Sequence, residues 1–271
     1  MSHPEDSYSA TVLEGHAHNS LVAEYVFATF IGLAWCNAIE LIILCLLTFK
    51  RYHGYYFWSL LVASFAIIPF GLGYILKIFG ISNTHHYLEI AIVDVSWIFL
   101  ITGQSLVLWS RLHLVLDSRR VLRGILYLII TNMFILQIPS FVLEMGTNSG
   151  SKGFARAFNV MERIQLVGFC LQELLISGLY IVETVKLLRL HPGGKSRGIL
   201  IQLIIVNVLI MLMDVCVVAV QYASLFTFQV TLKALVYSIK LKLEYVILGR
   251  LVDVAHLRSD STQVNTDSLN L

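Results

Sequence analysis

Seven long apolar runs divided by short polar breaks dominate the chain: Leu21–Phe49, Tyr55–Ile78, Tyr87–Leu116, Gly124–Glu144, Val160–Leu188, Ile199–Leu225 and Phe226–Leu248. Each is near or above the ~20 residues that carry a helix across a bilayer. Turn formers collect in the breaks Lys50–Gly54, Gly80–His86, Asp117–Arg123, Gly146–Asn159 and His191–Gly198, the last reading HPGGKSRG. The sixth and seventh runs are almost continuous, which predicts antiparallel neighbours joined by a very tight turn. Pro69, Gly71 and Gly73 predict a kink in the second run. The expected fold is an all-α membrane protein, a seven-transmembrane helix bundle over residues 21–252. An extracytoplasmic polar tail at residues 1–20 and a disordered cytosolic tail at 253–271 are expected to flank it.

Composition removes the soluble alternative. Of 271 residues, 57% are hydrophobic and 13% charged, with a mean hydropathy of +0.78. A soluble domain of this size needs far more charged surface. The formal net charge of +2 is no signal for nucleic acid, because the basic residues sit at the ends of the apolar runs. Their distribution instead sets orientation. Lys50, Arg51, Arg111, Arg119, Arg120, Arg123, Lys186, Arg189, Lys195, Arg197, Arg250 and Arg258 gather at one set of ends, against Lys77, Lys152, Arg156 and Arg163 at the other. By the positive-inside rule the amino terminus is outside and the carboxyl terminus cytosolic. A multi-pass protein of the plasma membrane or endoplasmic reticulum follows, with the lipid bilayer as its first partner.

The four cysteines, Cys36, Cys45, Cys170 and Cys216, lie inside apolar runs, so no disulfide is expected. His16 and His18 stand in the polar tail and read as solvated rather than as a metal site. No metal and no cofactor is expected.

Candidate chemistry lies in polar stripes within the apolar runs. In the third run Asp94, Trp97, Ile101, Gln104 and Ser105 share a helical face. Arg111 marks the cytosolic end of that span, roughly 25 Å from Asp94 at ~1.5 Å per residue. The first run carries Asn37 and Glu40, and the fifth Gln165, Gln172, Glu173 and Tyr180. The sixth carries Asn207, Asp214 and Gln221, and the seventh Gln229, Lys233, Tyr237, Lys240 and Glu244. Intramembrane charge is costly and demands a partner or a task. Depth along the spans suggests the buried pair Glu40–Lys240 and a second pair, Asp94–Lys233. Asp94, Trp97, Lys233 and Tyr237, with Glu173 and Asp214 deeper, form a candidate cavity opening toward the outer face. Glu173 and Asp214 are left without an obvious cation. The competing explanation of every stripe is that polar residues fasten helices together.

The segments Asn37–x–x–Glu40, TFKRYHGYYFWSLLVASF at Thr48–Phe65, WSRLHLV at Trp109–Val115, MERIQLVGFCLQELLISGLYIVET at Met161–Thr184 and LVYSIKLKLEYVILGRLV at Leu235–Val252 resemble a fungal family of seven-span membrane proteins of unknown function. The resemblance runs over nearly all the spans and implies a receptor-like layout, without a ligand or reaction. Likeness to G-protein-coupled receptors is one of shape: D-R-Y after the third span and N-P-x-x-Y in the seventh are both absent.

Three functions are consistent with these residues. One is receptor-like sensing of a small-molecule ligand, passed to a cytosolic signalling partner. The alternative is a membrane-embedded enzyme of fungal secondary metabolism, such as a terpene cyclase. Its acids would be Glu40, Asp94, Glu173 and Asp214, with Trp97 and Tyr237 stabilising cations. The third is a retinal photoreceptor with Lys240 or Lys233 as the Schiff base and Asp94 as counter-ion.

Overall fold

The computed structural model describes residues 4–48, 54–79, 86–116, 118–147, 152–190, 195–222, 232–247 and 249, nearly all of them helical. Helix α1 runs Pro4–Thr48, α2 Tyr55–Phe79, α3 His86–Val115, α4 Arg119–Asn132, α5 Ile138–Thr147, α6 Lys152–Leu190 and α7 Lys195–Tyr222. Residues 232–247 form a last helix, α8. Among the described residues six helical stretches are long and apolar enough to cross a membrane: Tyr25–Thr48, Tyr55–Leu76, Leu88–Val115, Arg119–Thr147, Arg156–Arg189 and Arg197–Tyr222. The chain is a multi-pass helical membrane protein. The seventh expected run is described only as α8. The tight turn expected before it, residues 223–231, and the tail at 253–271 lie outside the described residues.

Three boundaries differ from the sequence expectation. Most of the stretch expected as a polar tail is helical, because α1 starts at Pro4. Proline is tolerated at a first helical position, where its missing N–H has no partner to lose, and Gly15 is then the one breaker before the apolar run. Much of the expected Gly146–Asn159 connection is also helical, since α6 begins at Lys152. The fourth span is α4 and α5 joined by a π turn, Met133–Gln137. Pro139, just beyond it, can neither donate to the preceding turn nor fit against it, and a widened turn relieves both.

Lipid and interior are sorted opposite to a soluble protein. Leu47, Phe65, Phe99 and Leu171 point outward, while Arg111, Glu173, Lys240 and Glu244 are buried. An apolar exterior is the face a bilayer solvates. Close approach of α1, α2 and α3 depends on glycine. A Cβ on Gly71 would stand 2.6 Å from Trp35 Nε1, one on Gly73 2.5 Å from Val93 Cγ2, and one on Gly103 2.7 Å from Ala63 Cβ. Small residues let spanning helices pack backbone to backbone. Helix α2 continues through Pro69, and Gly71 and Gly73 serve its close packing on α1 and α3.

Amide side chains tie the other helices. Asn132 donates to Gln172 (2.8 Å), and Gln172 donates to Ser105 Oγ (2.9 Å), linking α4, α6 and α3. Ser140 donates to Gln165 Oε1, and Gln165 donates to Gln137 Oε1 in the π turn, both at 2.6 Å. Helix α8 lies against α1 and α2. Asn37 donates to Ser238 Oγ (3.3 Å), the hydroxyls of Thr48 and Tyr245 share a 2.7 Å bond, and Tyr56 donates to the Glu244 carbonyl (3.0 Å).

Candidate functional site

The face of α8 that carries Lys233, Tyr237, Lys240 and Glu244 is turned into the bundle, and two polar regions form along it. The deeper one is a cluster of ionisable side chains. Lys240 Nζ meets both Glu173 Oε2 of α6 and Asp214 Oδ1 of α7. Arg111 Nε of α3 lies 2.6 Å from Glu244 Oε2. Arg111 also donates from Nη2 to Asn207 Oδ1 (3.2 Å), and Asn207 in turn donates to the Ser177 carbonyl (3.0 Å). The guanidinium carbon sits 4.9 Å from the centroid of the Tyr180 ring. All five ionisable groups are at most 5% exposed. Desolvation at that depth is compensated only by close pairing, which explains why each cation touches a carboxylate.

The second region is a cavity of about 40 Å³ near the start of α3. Asp94 and Trp97 of α3, Ser140 and Glu144 of α5, Glu162 and Gln165 of α6, Phe70 and Tyr74 of α2 and Lys233 of α8 line it. Lys233 Nζ is 3.0 Å from Glu162 Oε1. The volume suits a few water molecules or a small polar group. Sites for drug-sized ligands are roughly 300–1,000 Å³.

Aromatic rings separate the two regions. Trp97 stacks on Phe70 with centroids 5.4 Å apart and meets Tyr237 edge to face at 5.5 Å. Lys233 Nζ lies 5.5 Å from the Trp97 ring, and Lys240 Nζ lies 4.7 Å from the Tyr237 ring. A continuous line of contacts, Lys233–Trp97–Tyr237–Lys240, therefore joins the cavity to the cluster. Each cation over an aromatic face adds attraction of about 0.5–2 kcal/mol.

Several sequence expectations need correction. Glu40 does not pair with Lys240: its partner is Lys242, at 2.6 Å, with the side chains 53% and 36% exposed. Residues two apart on a helix are turned by about 200°, so only one of Lys240 and Lys242 can face inward. Lys240 instead supplies the cation that Glu173 and Asp214 were expected to lack. Lys233 shares the cavity with Asp94, as expected of that pair, but its ion-pair contact at 3.0 Å is to Glu162. Arg111, near the end of α3, is wholly buried within the protein.

Glu244 was visible on the α8 stripe but not chosen as a site residue. Glu144 and Glu162 were not singled out either. Glu162 stands three residues before Gln165 and extends the fifth-run stripe, whereas Glu144 ends the fourth run; the packing of α5 and α6 brings both to the cavity.

The bundle and its two internal polar regions define a polytopic helical membrane protein with a buried ionic centre. The chain belongs to the family described as a domain of unknown function (DUF7703), whose profile covers residues 15–264. No curated protein and no solved structure matches it.

Proposed function

We propose that the chain is a receptor-like seven-span protein, its amino terminus outside and its carboxyl terminus cytosolic, with α8 as part of the last span. A small polar ligand is sensed at the Asp94, Trp97 and Lys233 cavity, which opens toward the outer face. The response reaches a cytosolic partner through the Tyr237–Lys240 segment and the Arg111–Glu244 pair. The observation that carries this reading is the Lys233–Trp97–Tyr237–Lys240 contact line. It gives a group bound at one end of the bundle a packed route to charges at the other.

The geometry favours this reading over a terpene cyclase. The polar cavity is far smaller than a terpenoid, and neither Glu173 nor Asp214 lines it. The same small volume counts against retinal. The plasma membrane is the location this reading requires.

The test pairs a deletion strain with complementation. Responses to a panel of small soluble compounds are compared between parent and deletion, and Asp94→Asn is then supplied in place of the parent protein. The variant is expected to reach the membrane at near-parental level and to lose the response. A variant that responds normally removes Asp94 from the site, and one that is degraded assigns Asp94 to the scaffold.

A further inference from the structure

Among the described residues, charge in the buried cluster does not balance. Arg111 and Lys240 bring two positive charges against three carboxylates, Glu173, Asp214 and Glu244. Arg111 neutralises Glu244, and Lys240 is shared between the other two. The remaining oxygens Glu173 Oε1 and Asp214 Oδ2 are buried, without a hydrogen-bond partner among the described residues. An ionised carboxylate with no donor on one oxygen is costly at 1% and 5% exposure.

A further buried group without a described partner stands on the α3 face that meets α8. Gln104 is wholly buried, and neither its Oε1 nor its Nε2 has a partner among the described residues. It stands one heptad after Trp97 and one before Arg111, on the α3 face whose contacts to α8 are Trp97–Tyr237 and Arg111–Glu244. Along α3 it lies between those two contacts.

We propose that this cluster is a proton-binding site, holding one proton between Glu173 and Asp214. One added proton brings the cluster to neutrality. It also turns an unsatisfied acceptor into a donor that can serve the neighbouring carboxylate. Two carboxylates on one lysine share such a proton as a pair. A metal ion is a poorer fit, since no group of three or more His, Cys, Asp or Glu side chains among the described residues is arranged to hold one. The other titratable groups near the pair are Cys170 of α6 and Tyr237 and Glu244 of α8, while Tyr180 of α6 and Tyr56 of α2 lie by Arg111 and Glu244. The proposal is independent of the receptor reading, because it concerns the resting protein.

Infrared spectroscopy of the full-length protein in lipid nanodiscs at neutral pH tests it. A carbonyl stretch of a protonated carboxylic acid is expected in the parent protein, strongly reduced in Glu173→Gln or Asp214→Asn and retained in Glu40→Gln, which alters an exposed carboxylate. If the amide variants do not fold, Glu173→Asp and Asp214→Glu keep a carboxyl and are expected to shift the band. No such band in the parent protein, or one that neither pair of variants changes, overturns the proposal.

Discussion

Arg111 Nε and Glu244 Oε2 lie 2.6 Å apart, with both side chains out of contact with lipid and water. The pair fastens the end of α3 to α8, and Tyr56 adds α2 by donating to the Glu244 carbonyl. Removing one member of a buried pair leaves its partner uncompensated, at a cost of roughly 3–5 kcal/mol. Arg111→Met and Glu244→Gln are each expected to lower thermal stability in detergent sharply. Arg111→Met/Glu244→Gln together should lose less than the two separate losses combined. Additive losses in the double-mutant cycle would show that the contact is not energetically coupled.

The Glu40–Lys242 pair is expected to behave differently, because both members are exposed by a third or more. Exposed pairs are worth about 0–1 kcal/mol. Glu40→Gln or Lys242→Met should leave the melting temperature nearly unchanged, whereas Lys240→Met should lower it strongly. The neighbouring Asn37–Ser238 contact, at 3.3 Å, places α1 against α8. Asn37→Cys with Ser238→Cys is therefore expected to crosslink under mild oxidation. Failure of the crosslink in folded protein would contradict that packing.

Glycine substitutions separate close packing from general fragility. A Cβ at Gly73 meets Val93 Cγ2 at 2.5 Å, while one at Gly32 has nothing within 4 Å. Overpacking costs about 1–3 kcal/mol. Gly73→Ala should reduce the yield of folded protein, and Gly32→Ala should not. Equal effects would mean that α2 and α3 are not so closely apposed.

The spanning helices were legible because bilayer thickness sets a minimum apolar length, and the runs met it without help from tertiary contacts. Rotation about each helix axis was much less so. Depth along a span selects a level but not a face, and that ambiguity assigned Glu40 to Lys240 when Lys242 was its partner. Glu173 and Asp214 looked unpaired for the same reason: the azimuths of α6, α7 and α8 together decide which lysine they meet. Arg111 sits at the end of an apolar run beside Trp109 and His113, a context that reads as interfacial. Its burial depends on Glu244, more than a hundred residues away. The π turn before Pro139 had a local cause but no local signature of its width. The stripe on α8 was the most legible part of the site, since its spacing alone gathers Lys233, Tyr237, Lys240 and Glu244 on one face.

The proposed ligand cavity opens to the outside, and Trp97 and Tyr237 stand between it and the buried cluster. Cysteine accessibility in intact cells measures both at once. Native Cys36, Cys45, Cys170 and Cys216 are first replaced, and then Glu162→Cys, at the accessible edge of the cavity wall, and Ser177→Cys beside the cluster are introduced separately. A small charged, membrane-impermeant thiol reagent added outside is expected to label Glu162→Cys and to leave Ser177→Cys unmodified. Labelling of Ser177→Cys, or protection of Glu162→Cys in folded surface protein, would contradict the account.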